Sequence, residues 1–302
     1  MHPYSSWRSC RRRSPRIRYF PWSDVGSGEF MGDVRCPCGI KPSYEIVCAM
    51  VSQLDNNRRQ IVDALGFGGL LKLPLLTDNL EQFGVWLLRK VDVATAEIVV
   101  DERTRVYIGA DQVREVFGIP AGGRSVCDPE VLNDPKCAEA VARYALRSPR
   151  SRCPLESAHE VVLANHALGS TPTDADVFRV AFVFFVMAHA LAPSRQHGLD
   201  VLKFWLALLK VHEISGCNWA GFVAEETLRA ARNIHVQSES RGCLLLLQAL
   251  YMRATAGADH AVASARPPLI SVFGTEKMLK LLAAEASQGL GLTLTIHTVY
   301  LG

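Results

Sequence analysis

No run of apolar residues in this chain is long enough to cross a bilayer. The longest, Val180 to Ala188, lies between Arg179 and His189 and falls well short of the roughly 20 residues a spanning helix requires, so it reads as a buried core helix. A secretory apolar segment is likewise missing at the start. The nine cysteines, Cys10, Cys36, Cys38, Cys48, Cys127, Cys137, Cys153, Cys217 and Cys243, are odd in number and scattered, which argues against a disulfide framework. They read as reduced thiols of an intracellular protein. No repeat of fixed period is present, which sets solenoid architectures aside. Acidic residues are absent before Asp24, whereas Arg8, Arg11, Arg12, Arg13, Arg16 and Arg18 all precede it. The formal charge of +3 is therefore concentrated there, and the remainder is close to neutral or slightly acidic. A body without clustered Lys or Arg is a poor phosphate-binding surface.

What is present is globular composition. With 302 residues, 49% apolar and 21% charged, the chain is not disordered throughout and has material for one large domain or two moderate ones. Residues 1–42 carry Arg, Ser, Pro and Gly without hydrophobic periodicity and are expected to form a mobile tail. Three readings of its arginines stand side by side: a nuclear-localisation or nucleic-acid patch that could touch chromatin, an organellar transit peptide, and a leader under little selection.

From Tyr44 the apolar spacing is helical. Ile46, Val47, Met50, Val51 and Leu54 mark one face, and Ile61, Val62 and Leu65 mark the next, stopped by Gly66. Thr77 and Asp78 suit the N-cap of a helix carrying Leu80, Phe83, Trp86, Leu87 and Val91. The β-rich runs Ala96–Val100 and Thr104–Ile108, joined across Asp101, Glu102 and Arg103, predict a hairpin. Asp111 is expected to cap a short helix presenting Val113, Val116 and Phe117, ended by Gly118 and Pro120. A modest helix near Ala138–Leu146 sits in a loop-rich stretch. Helices are then expected near Glu156–Leu168, Asp174–Leu191, Leu199–Val211, Trp219–Ile234 and Cys243–Arg253. Ala254–Pro268 reads as a linker, with a helix near Thr275–Ala286 and an alternating run, Leu292–Tyr300, beyond it. The expected fold is mainly α: a multi-helical globular domain over 43–254 with one small β-hairpin, followed by a linker and small appendix over 255–302.

The chemistry-bearing residue types do not assemble into a local signature. Cys36, Cys38 and Cys48 lack the second ligand pair that zinc requires, and no His lies near them in sequence. His159-Glu160 and His212-Glu213 begin like zincin helices, but Leu163 and Gly216 stand where the second His belongs. Gly66-Phe67-Gly68-Gly69 follows a helix rather than a strand and has no Gly-Lys-Ser/Thr end, so a helix C-cap and turn is the better reading than a phosphate cradle. Lysine is scarce, and Lys203 and Lys210 belong to the solvated face of an amphipathic helix, which gives no sign of a Schiff-base lysine. His166, His189, His197 and His235 pair with no Ser or Cys locally. Phe182, Phe184, Phe185, Phe204, Trp205, Trp219 and Phe222 lie on dense apolar helices, where core packing is the default. No catalytic, cofactor-binding or metal-ligating residue is assigned, and the one candidate site is the nucleic-acid reading of the arginine tail.

One family resemblance extends this. The G-F-G-G-L turn at Gly66 to Leu70, Trp86-Leu87-Leu88 with Val91-Asp92, the hairpin, and Val113 to Val126 with V-F-G-I-P and G-G-R resemble the plant mobile domain, labelled aminotransferase-like in some families and found in transposon-derived grass proteins. Ala181 to Pro193, Asn218-Trp219 with Phe222-Val223, and Gly242-Cys243 with Leu247-Gln248 and Tyr251 are similar as well, so the likeness covers roughly Val47 to Arg253. It implies a plant protein with a helical domain of no established catalytic activity and no cofactor, linked to transposons and the nucleus, with protein partners that the residues do not identify. In such proteins the domain often precedes a cysteine protease region of the ubiquitin-like-protein-processing type. The His, Asp, Gln and Cys series of that protease does not follow here, so the alternative expectation is the non-catalytic front part of such a polypeptide, or a truncated gene copy.

Overall fold

The computed structural model describes residues 43–76, 80–127, 158, 161–162, 172–193, 204, 207–208, 210–234, 242–255, 262 and 264–287. The tail, the expected helix near Ala138–Leu146, the Thr77-Asp78 cap and the run Leu292–Tyr300 lie outside them.

The first two helices follow their apolar spacing. In α1 (Tyr44–Gln53) the Ser43 hydroxyl accepts from the Ile46 amide at 3.4 Å, and Val47, Met50 and Val51 are buried while Ile46 stays at the margin. In α2 (Asn56–Ala64) the Asp55 carboxylate accepts from the Arg58 amide at 2.8 Å and pairs with its guanidinium at 3.0 Å. Both caps satisfy amides that a helix start leaves without a partner. Gly66, at φ +80°, ends the second helix. A 3₁₀ turn, Gly68–Lys72, follows, and Gly69 lies so close to the end of the later helix Ala110–Phe117 that a Cβ there would sit 2.0 Å from the Phe117 carbonyl oxygen. The glycine run is thus a turn and a close backbone approach.

Helix α3 (Glu81–Arg89) buries Phe83, Gly84, Leu87 and Leu88. Val91, expected on this helix, instead opens strand β1 (Val91–Asp92), which pairs antiparallel with β2 (Glu97–Val99), itself paired with β3 (Arg105–Tyr107). The expected hairpin is β2–β3; the sheet has a third strand because Val91 meets Ile98 in register. Helical spacing between Leu87 and Val91 does not exclude this, since a two-residue strand leaves no periodicity of its own. At the hairpin loop the Asp101 carboxylate accepts from the amides of Arg103 and Thr104, each at 2.7 Å. Those backbone hydrogen bonds hold its pKa below the ordinary carboxylate value.

Helix α4 (Ala110–Phe117) starts two residues earlier than expected: Gly109 occupies the N-cap, and Asp111 lies in the first turn. There a negative charge still favours the helix N-terminus without acting as a cap. Gly118, at φ +63°, closes the helix, its amide donating to the Arg114 carbonyl at 2.8 Å.

Helix α5 (Pro172–Val186) continues into a π-helical turn, Met187–Leu191, in which the Ala192 amide reaches the Met187 carbonyl at 2.8 Å. The single helix expected over Asp174–Leu191 therefore changes hydrogen-bond period at its end. Phe204, Ala207 and Leu208 are helical and buried, but the helix expected to reach Val211 gives way to a 3₁₀ turn, Val211–Gly216. Helices α6 (Trp219–Asn233), α7 (Leu244–Thr255) and α8 (Thr275–Ser287) complete the described part.

Helix α7 is buried from Leu244 through Met252, as befits the centre of a helical core. It crosses α3 at Gly84, where a Cβ would lie 2.7 Å from the Leu244 Cβ. The one amide side chain on α7, Gln248, donates its Nε2 to the Leu80 carbonyl at 2.7 Å, which satisfies the buried polar group. Around Trp219, the rings of Phe67, Phe182, Phe204 and Phe222 meet edge to face at 5.8–6.4 Å. Beyond α7, Val262, Leu269, Ile270, Phe273, Met278 and Leu282 belong to the same core. The described chain is mainly α with one small antiparallel sheet, and no helix among the described residues is long and apolar enough to cross a membrane.

Candidate functional site

Among the described residues, a set of long-range polar contacts joins the loop after α4 to the turn before α6. Gly122 and Gly123 have φ of +84° and +89°, which only glycine adopts cheaply, and a Cβ on Gly123 would lie 2.2 Å from the Gly216 carbonyl oxygen. That close approach lets Arg124 form a parallel bridge with Cys217: the Arg124 amide donates to the Gly216 carbonyl at 3.0 Å, and the Asn218 amide donates to the Arg124 carbonyl at 2.8 Å. Asn218 caps α6, its Oδ1 accepting from the Gly221 amide at 2.9 Å and also from the Gly122 amide at 3.1 Å. The Ala220 amide adds a bond to the Pro120 carbonyl at 2.9 Å, and the Trp219 indole donates to the Ile214 carbonyl at 2.7 Å. G-G-R and C-N-W are thus two halves of one clasp.

The side chains of the clasp carry its charge. Arg124 Nη1 meets the Glu213 carboxylate at 2.5 Å and Nη2 donates to the Cys217 sulfur at 3.5 Å, while Lys210 approaches the same carboxylate at 3.6 Å. The hydrogen bond to the Cys217 sulfur, with Glu213 adding to it against partial desolvation, holds the Arg124 pKa above its already high ordinary value. The guanidinium is a permanent cation. Arg124 and Glu213 are 42% and 54% exposed, which places their pairing among surface ion pairs of modest worth. Cys217 is fully buried, and its thiol donates to the Glu213 carbonyl at 3.4 Å. Cys243 is buried too, and desolvation pushes its thiol up to about 12, which leaves it a neutral, unreactive group at physiological pH. The arrangement fixes backbone; it does not present a nucleophile.

The six tail arginines proposed from the sequence, Arg8 to Arg18, lie outside the described residues, as do Cys36, Cys38, His159 and Lys203. His212 is exposed on the 3₁₀ turn beside Glu213, whose carboxylate is engaged by Arg124 and Lys210. His189 is buried on the π-helical turn and packs against Phe185, the rings tilted by 48° with centres 4.4 Å apart. Cys48 donates to the Pro74 carbonyl at 3.3 Å. Among the described residues, no three His, Cys, Asp or Glu side chains are grouped to hold a metal ion. An apolar cavity lined by Tyr44, Val47, Leu70, Phe117, Val186 and Leu245 has about 10 Å³ of room, near the minimum for a single water. It is too small for a cofactor. The pairing of Arg124 with Glu213 and Cys217 had no sequence signal, because about ninety residues separate the partners.

Fold and clasp together define a mainly helical domain in which Gly122, Gly123, Arg124 and Asn218 hold backbone to backbone. The chain belongs to a family defined by a domain of unknown function, DUF8566, whose profile matches residues 40–248. No curated protein and no solved structure matches it.

Proposed function

We propose that the chain is a non-enzymatic interaction module of a transposon-derived plant protein, acting through protein or chromatin contacts in the nucleus. One observation supports this reading: the residues that carry the likeness to the plant mobile domain serve packing. Gly118 closes α4 in the left-handed region, Asn218 caps α6 and ties down the Gly122 turn, and Trp219 fills the aromatic core. A domain built this way recognises partners with its outer surface and with the segment that holds Arg8, Arg11, Arg12, Arg13, Arg16 and Arg18. That segment is the natural contact for nucleic acid, since it gathers positive charge that the body lacks. The experiment compares the full chain with a variant beginning at Ser43, in partner capture from plant nuclei and in titration of duplex DNA at rising salt. DNA binding that weakens with salt and disappears in the shorter variant, together with protein partners kept by both, is the expected result. Stoichiometric binding of a cofactor with turnover of a substrate overturns it.

A further inference from the structure

We draw no further inference here: the strongest candidate, the side-chain cluster of Cys217, Arg124 and Glu213 at the turn ahead of α6, rests on a lone buried cysteine, and no second observation among the described residues points to a ligand there.

Discussion

Asn218 and Arg124 sit at the same junction and hold it by different means. The Asn218 oxygen serves two amides, those of Gly221 and Gly122, and its loss leaves the start of α6 uncapped and the glycine turn untethered. Asn218→Ala is expected to cost about 1–2 kcal/mol in urea unfolding, the upper part of the range for a lost cap, since two amides lose their acceptor. Arg124→Ala removes an ion pair between half-exposed groups and leaves the backbone bridge intact, so about 1 kcal/mol or less is expected, fading in high salt. The reverse order would mean that charge rather than backbone holds the clasp. Cys243 makes a separate prediction through pH. Its thiol is raised from an ordinary 9.0 to about 12 by burial, so the folded chain keeps the proton where the unfolded chain loses it. Stability from this group is complete below the unfolded value and falls as pH rises toward the folded one, by up to about 1.4 kcal/mol per pH unit. Cys243→Ala should flatten the decline in unfolding free energy between pH 9.5 and 10.5 relative to the parent chain. Equal slopes would show that the thiol is not shielded.

Elements whose limits are set by local chemistry were legible in the sequence. Gly66 and Gly118 end α2 and α4 with positive φ, and the apolar faces at Val47, Met50 and Val51 and at Val113, Val116 and Phe117 are buried as their spacing implies, whereas the start of α4 is capped at Gly109 and not at Asp111. Elements decided by distant neighbours were not. Strand β1 exists because Val91 finds Ile98, and the π-helical turn at Met187–Leu191 begins within the apolar run Val180–Ala188 and carries on past His189, with no break in the sequence to mark it. The clasp was legible only in its parts, since G-G-R and N-W stood out as motifs without any sign that they meet. Gly69 shows the same limit, because its role depends on the end of α4 lying against it. Gly69→Ala drives a Cβ into the Phe117 carbonyl oxygen, a backbone atom that cannot swing aside, and a loss of about 2–3 kcal/mol is expected. Gly216→Ala, with no atom within 4 Å of the added carbon, should stay within about 0.5 kcal/mol. Thermal unfolding of the two variants checks the pair; similar losses would mean that the contact with the Phe117 carbonyl is not what limits Gly69.

At the scale of the whole molecule, the packed core runs past the segment that the family profile matches. The match ends at 248, inside α7, yet Leu269, Ile270, Phe273, Met278 and Leu282 are all buried in the core that α7 centres. The segment is tied by backbone as well as by side chains. The Thr275 amide donates to the Leu75 carbonyl at 3.2 Å, and Gly118 comes so close to Pro268 that an added Cβ would lie 3.4 Å from the Pro268 Cβ. The chain after α7 is therefore expected to unfold with the body rather than as a lobe of its own. Phe273 gives the sharpest test, since its ring is fully buried and lies outside the family match. Phe273→Ala is expected to cost about 3–5 kcal/mol, the range for emptying a buried aromatic site and similar to that for Phe117→Ala in the middle of the body. The transition is best followed by tryptophan fluorescence, because Trp86 and Trp219 report on α3 and α6, both well away in sequence from the substitution. A single transition shifted to lower urea shows that residues 264–287 share the cooperative unit. A tryptophan transition left where it was in the parent chain would show that they form an appendix, with the body standing alone without them.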